Sequence, residues 1–285
     1  MQEIGPAVSL DKAVVSRAMN SEAFATVAVQ DKTAFLADRP QPYLSWIAFA
    51  ILLGIWETVG RLSLVSPLFL PPPGDILMEG WGLLYSGQLV RHVGVSLLRI
   101  GCGFLLAALT GIFTGILLGS SRIAEAVGNP ILAAAFPIPK IAILPLLILW
   151  LGIGEAPKVA VIGLGVFFPL AINVYTGVKN VDPLLIRAAL SLGAGRLSVI
   201  RKVVWPATLP LVFAGLKLGL GISLLLVVAA EMIAADAGIG FMILTAADLM
   251  QTKRLMVGLL TLSLLGLFFN WLLRQIERRC LPWRP

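Results

Sequence analysis

The sequence predicts an all-α polytopic membrane protein with six transmembrane helices. Three observations carry that expectation. Of 285 residues, 58% are hydrophobic and only 13% charged, about half the charged share of an ordinary soluble domain. The mean hydropathy is +0.94. The apolar residues also fall into six runs, each near the ~20 residues that a helix needs to cross a hydrocarbon core of ~30 Å. A water-soluble domain with this balance could not cover its surface, and the same figures exclude disordered, collagenous and disulfide-stapled chains.

The first 43 residues are polar, with scattered charges, and Arg39-Pro40-Gln41-Pro42 precedes the first run. They read as a mobile cytoplasmic tail, with a short amphipathic helix over 14–29 as a second option. No apolar core lies near enough to Met1 for a cleavable signal peptide. The transmembrane domain is expected over 44–285, with spans at 44–62, 95–119, 127–151, 159–178, 209–231 and 255–273.

Within the spans, Gly111, Gly115 and Gly119 place small residues on one helix face. That suits close packing inside the subunit or a contact between two copies. Pro137, Pro139 and Pro145 break the third span near its middle. Such breaks are tolerated where backbone is buried in protein or lines a cavity, so Pro139 and Lys140 are candidates for a pathway wall, with a plain kink as the alternative. Lys140 sits at mid-span, where a cation needs a partner or water. Lys217, a further pathway candidate, lies about two turns above Pro210, within snorkelling reach of the surface. Glu231, the last pathway candidate, ends the fifth span and either acts at an outer gate, docks a binding protein or marks the interface.

Basic residues set the orientation. With the N-terminus cytoplasmic, 14 of the 22 Lys and Arg fall inside, five outside and three (Arg99, Lys140, Lys217) within spans. The excess predicts both termini inside. It also accounts for the net charge of +7 without nucleic acid, since no basic stripe is interleaved with aromatics. Segments 63–94 and 232–254 then lie outside. The first contains Pro71-Pro72-Pro73-Gly74, which excludes a continuous helix; the second is rich in Gly and small residues. Cys102 and Cys280 are too differently placed to form a bridge, and His92, the single histidine, cannot build a metal cluster unaided.

The loop over 179–208 is basic and expected inside. Asp182 is a good N-cap with Pro183 at the first helical position. A helical run to Leu192 then meets Gly193, which suits a helix end. Gly195 gives a further weak point, and Trp205-Pro206 is expected to close the loop.

Here the sequence resembles a known family. Ala188-Ala189, three residues, Gly193, nine more, then Val203-Val204-Trp205-Pro206 resemble the EAA loop of type I ABC importer permeases. Arg187 stands where that family usually has Glu. Ser96-Leu97-Leu98-Arg99, Pro137-Ile138-Pro139, Trp150-Leu151-Gly152-Ile153-Gly154-Glu155, Phe168-Pro169, Gly215-Leu216-Lys217 and Ala230-Glu231-Met232 with Gly238-Ile239-Gly240 are similar to its nitrate/sulfonate/taurine/bicarbonate group. The resemblance runs from about Val90 to Arg284 and implies a permease core over 90–275 with a coupling helix in 179–208.

By that resemblance, Arg187, Ala188, Ala189, Leu192, Gly193, Ala194 and Pro206 belong to the coupling surface. Two copies of the permease, most simply a homodimer, form the pathway. Two cytoplasmic ATPase subunits carry ATP and Mg, and a periplasmic or lipid-anchored binding protein delivers a small anionic solute. The place implied is the bacterial cytoplasmic membrane, among its lipids. ATP binding would draw the coupling helices together and open the pathway outward. The chain itself lacks G-x-x-x-x-G-K-[ST], so no Walker loop holds ATP here, and no cofactor, metal or catalytic residue is expected in it. The rival reading, an ion-coupled carrier acting alone, would need paired carboxylates at mid-depth.

Overall fold

The structure, a computed structural model, describes residues 42–283, and every regular element among them is helical. The expected tail lies outside the described residues except for positions 42 and 43, which open a helix. So does the amphipathic option at 14–29. The chain divides into two compact units, Met1–Trp56 and Glu57–Pro285. Helix α1 (Pro42–Arg61) begins in the first and ends in the second. At its end, Glu57 accepts hydrogen bonds from Arg61 Nε at 2.6 Å and from the Gly74 N–H at 2.8 Å.

The second unit holds the remaining helices. Helix α2 (Pro73–Tyr85) starts where the proline run ends, with Pro73 in the first turn, where its missing N–H costs nothing. Then come α3 (Gln88–Ser120), α4 (Arg122–Ala135), a 3₁₀ turn at Lys140–Ile143, α5 (Leu144–Leu151) and α6 (Glu155–Lys179). After them run α7 (Pro183–Ser191), α8 (Arg196–Val199), α9 (Trp205–Ala234), α10 (Ile239–Asp248) and α11 (Thr252–Cys280). Among the described residues, α3, α6, α11 and the helix running from Arg196 to Ala234 are long and apolar enough to cross a membrane. The pair α4 and α5 makes a fifth candidate crossing, bent by 89°.

Helix α6 is the centre of the bundle, between α3 and α9. Glycine explains the closeness. A Cβ on Gly115 would lie 2.6 Å from Val174 Cβ and 2.7 Å from the Ala171 oxygen; one on Gly119 would lie 2.5 Å from Val178 Cβ. Gly103 meets Ile162 and Gly111 meets Leu170 at the same offset of 59 residues, so α3 and α6 run parallel in one continuous contact. Of the two readings left open for this stripe, the structure shows packing within the subunit. On the other side of α6, Gly165 faces Leu226 and Gly215 faces Leu170, an antiparallel contact with α9. Val161, Ile162, Val166, Leu170, Ala171 and Val174 are consequently 0% exposed. In a membrane, small residues of this kind let helices gain dispersion energy that lipid would otherwise supply.

One expectation is met here and one needs correction. The third span is broken at its prolines, as expected, rather than merely kinked. Pro137 and Pro139 leave α4 and α5 as separate helices at a sharp angle, because residues before proline avoid the helical region and neither proline donates a bond. Trp205-Pro206, expected to close the cytoplasmic loop, lies inside a helix instead. Residues Ile200–Val204 form a π turn, in which the Trp205 N–H bonds to the Ile200 oxygen. The wider turn absorbs the bond that Pro206 cannot make, and the helix continues from Arg196 to Ala234.

The segment at 232–254 is also more ordered than its small residues suggest. It contains α10, which buries Ile239, Met242, Ile243 and Ala246 against α9 and α11. Lys253 pairs with Asp75 at 2.8 Å and ties α2 to the start of α11; that ammonium holds the Asp75 carboxyl below its usual range.

Candidate functional site

Two sites stand at opposite ends of the bundle. The first is the loop from Lys179 to the start of α9. Asp182 accepts the Leu184 N–H at 2.8 Å, and Pro183 follows it, as expected for an N-cap. At the other end of α7, the Gly193 N–H bonds to the Leu190 oxygen and the Ala194 N–H to the Ala189 oxygen, at 3.0 and 3.1 Å. This is a Schellman ending, and Gly193 takes its left-handed position at φ +79°. A Cβ on Gly193 would meet open space. Glycine is therefore needed for backbone conformation, not for room.

Of the residues expected on the coupling surface, Arg187, Ala188, Leu192 and Gly193 are exposed, while Ala189, Ala194 and Pro206 are half-buried. Leu184, Leu192 and Leu197 are 69%, 89% and 80% exposed, an apolar surface on a loop otherwise rich in cations. Val178, Val181, Val199 and Val204 form a small core beneath it. The loop is thus a platform rather than a tether. Glu125 of α4 accepts from Tyr175 Oη at 2.7 Å and Lys179 Nζ at 2.5 Å, so the platform is joined to the bent pair as well as to α6.

The second site lies at the far end, where α3 and α6 begin and α9 ends. Arg99 is buried and makes four hydrogen bonds. Its Nε and Nη2 donate to Glu155 at 2.5 and 2.6 Å, and its Nη1 donates to Glu231 at 2.9 Å and to the Ala237 oxygen at 2.6 Å. Lys158, also buried, reaches Glu155 at 3.1 Å. Two cations and two carboxylates balance, which is what allows charges to be buried at all.

Around this cluster, α3 holds the turn before α10. His92 Nδ1 accepts the Gly238 N–H at 3.1 Å, Ser96 Oγ accepts the Ile239 N–H at 2.9 Å, and Glu231 accepts the Gly240 N–H at 2.8 Å. Ser96 Oγ also donates to Glu231, at 2.7 Å. Three consecutive amides at the start of α10 are capped by side chains of other helices, and the Glu231 charge sits at the positive end of the helix dipole. Gly238 has φ +125° and a Cβ there would lie 2.3 Å from Glu231 Cδ. Beside the cluster opens a cavity of about 590 Å³, lined by Glu155, Lys158 and Asp236 with Ile148, Ile153 and Pro157.

The pathway candidates do not gather in one place. Glu231 belongs to the far-end cluster. Pro139 precedes the 3₁₀ turn in extended conformation. Lys140 donates to the oxygens of Ala135, Phe136 and Ile138 at 2.8, 2.9 and 2.7 Å, and lies 4.4 Å from the centre of the Phe168 ring. Lys217 pairs with Glu277 of α11 at 2.5 Å.

Comparison with known proteins decides the family. Residues 108–281 match the family described as binding-protein-dependent transport system inner membrane component. The chain belongs to that family. The permease is 39% identical over 248 residues to the taurine transport system permease protein TauC of Escherichia coli, covering 85% of this chain and 90% of that one. It is 37% identical to a putative aliphatic sulfonates transport permease protein, SsuC, of Bacillus subtilis, covering 82% and 85%. A nitrate import permease protein, NrtB, of Leptolyngbya laminosa is 32% identical, covering 83% and 86%. Its fold is that of a type I ABC importer permease. A chain of the inward-facing MetNI methionine ABC transporter superposes with a TM-score of 0.60 at 21% identity, over 69% of this chain and 97% of that one. The permease is a multi-pass inner membrane protein and a transport subunit, as expected from the sequence.

Arg99, Glu155 and Lys158 are the functional candidates that sequence reasoning missed. Arg99 and Glu155 stood in motifs that carry the family resemblance, and Arg99 was also visible as a charge in an apolar run, but neither was given a role. The available signal is that His92, Ser96 and Arg99 share one face of α3, at spacings of four and three.

Proposed function

We propose that this permease forms the translocation pathway of an ATP-driven importer of small oxyanions, in the class of sulfonates and nitrate. The observation that carries this reading is the set of named relatives, which transport taurine, aliphatic sulfonates and nitrate and align over more than four fifths of the chain. Each of those solutes presents oxygens on sulfur or nitrogen with a negative charge. In this reading α1 supplies a sixth crossing and both termini are cytoplasmic. The α7 platform faces the cytoplasm and docks a separate ATPase that holds ATP and Mg. A second copy completes the pathway, and a binding protein docks at the far end.

Mechanically, the platform is suited to its role because its own small core and the Glu125 link make it move with α4 and α6. A push on the exposed leucines is passed to helices that reach the far end. The ion-coupled carrier is less well supported: it needs paired carboxylates at mid-depth, whereas Glu155 and Glu231 lie at the far end of the bundle, each paired with Arg99.

The test is uptake by proteoliposomes containing the full-length permease, its ATPase and its binding protein. ATP-dependent accumulation of nitrate or an alkanesulfonate is expected, with Ser66→Cys labelled by an impermeant thiol reagent from outside and Ser198→Cys protected. Uptake driven by an ion gradient without ATP would refute the reading.

A further inference from the structure

The far-end cluster contains more than a structural ion pair. Its two carboxylates are held in different ways. Glu231 is 0% exposed and engaged by Ser96, Arg99 and the Gly240 amide, so its side chain is held in place. The Glu155 side chain is 52% exposed and opens onto the cavity, yet it is the shared partner of Arg99 and Lys158, whose side chains are 1% and 4% exposed. One rotatable surface carboxylate therefore covers two buried cations.

We propose that Arg99 and Lys158 form an oxyanion-binding site that Glu155 occupies at rest and that an incoming sulfonate or nitrate takes over. The inference rests on the reading of the solute as an anion and names where the permease first holds it. The chemistry is that of one acceptor replacing another. Arg99 presents Nε and Nη2 as a planar fork, a geometry that matches two oxygens of nitrate or sulfonate as well as those of a carboxylate. Lys158 adds a point charge from the side.

The exchange is one for one. Two buried cations with Glu231 alone would leave a net positive charge out of water, which is costly, so either Glu155 or a solute must be present. The cavity of about 590 Å³ gives the displaced side chain somewhere to go and the solute a way in. Asp236 lines the same cavity. A displaced Glu155 brings a second carboxylate into that space, and their repulsion returns Glu155 to Arg99 once the solute moves on. The site therefore holds its anion in competition with a tethered one, which favours release over tight retention.

The experiment is equilibrium binding of radiolabelled ethanesulfonate, with nitrate as competitor, to the full-length chain in lipid nanodiscs. Glu155→Gln removes the tethered charge, which competes at an effective concentration in the millimolar range, and should tighten binding about tenfold or more. Lys158→Met should weaken it, in the wild type and in the Glu155→Gln background alike. Lys253→Met, which removes a cation paired elsewhere, should bind as wild type. If Glu155→Gln is not recovered, Glu155→Asp serves, since the shorter side chain cannot span the fork and should tighten binding in part.

Binding no tighter in either Glu155 variant, or unaffected by Lys158→Met, overturns the site even if the assembled importer takes up anions. Conversely, the predicted shifts in a permease whose importer carries no anion would sustain the site and refute the proposed function.

Discussion

Lys140→Met tests whether this charge serves transport or structure. The ammonium donates to three backbone oxygens, Ala135, Phe136 and Ile138, all within 2.9 Å. These oxygens lie at and just beyond the end of α4, where Pro137 and Pro139 supply no N–H, and the Ala135 oxygen also accepts the Ile138 N–H at 3.4 Å. Hydrogen bonds to a charged group contribute ~1.5–3 kcal/mol each. Two of the three lie near an exposed surface, so water recovers part of the loss, and the total is taken as about 3 kcal/mol. The contact with Phe168 adds ~1 kcal/mol at most. At roughly 2–4 °C per kcal/mol for a chain of this size, a loss of about 3–4 kcal/mol should lower the melting temperature by roughly 6–16 °C.

The assay is thermal unfolding of the purified permease in detergent, beside uptake measured well below the lowered transition. Met retains much of the length of Lys and removes the charge, so packing changes little. The structural role predicts a less stable protein that still transports at a substantial rate when cold. A Lys140→Met permease with unchanged melting temperature and abolished uptake would refute this reasoning and return Lys140 to the pathway wall.

Three further outcomes are expected. Gly193→Asp puts a side chain at φ +79° and should destabilise the end of α7 by about 1 kcal/mol, leaving the protein inserted but uncoupling ATP hydrolysis from uptake; normal uptake with normal retention of the ATPase would count against the platform. Gly115→Leu drives a side chain into Val174 and the Ala171 backbone, and should lower stability by about 1–3 kcal/mol or block folding, seen as loss of a monodisperse peak in size-exclusion chromatography. Gly238→Ala should lose binding-protein-stimulated ATP hydrolysis before it loses membrane insertion, because its Cβ collides with Glu231 and loosens the turn before α10.

How much of this was legible in the sequence depended on the range of the interaction. Apolar runs located α3, α6, α9 and α11 because crossing a bilayer is a local demand on composition. Asp182-Pro183 and Gly193 marked both ends of α7 because caps are made within a few residues. Proline misled in one place and sufficed in another. Pro206 counted as a stop because it lacks an N–H, but a π turn upstream supplies the missing geometry, and only the full backbone shows that. Pro137 and Pro139 did mark a break, although not the 89° angle that packing imposes.

The far-end cluster joins residues 56 and 132 positions apart, and no local pattern encodes which carboxylate meets which cation. A physical rule still points toward it. Arg99 lies in an apolar helix with Ser96 and His92 on its own face, and a buried guanidinium in a membrane bundle must find acceptors there. Segments expected to end on the same side of the membrane must supply them. Glu155 and Glu231 stand at two such ends, so topology plus charge balance narrows the partners of Arg99 before any coordinate is known. The distinction between the two is beyond that reasoning. Which carboxylate is sealed and which faces a cavity follows from Gly238 and Gly240, whose missing side chains let the α10 turn close over Glu231 and leave Glu155 as the partner able to move.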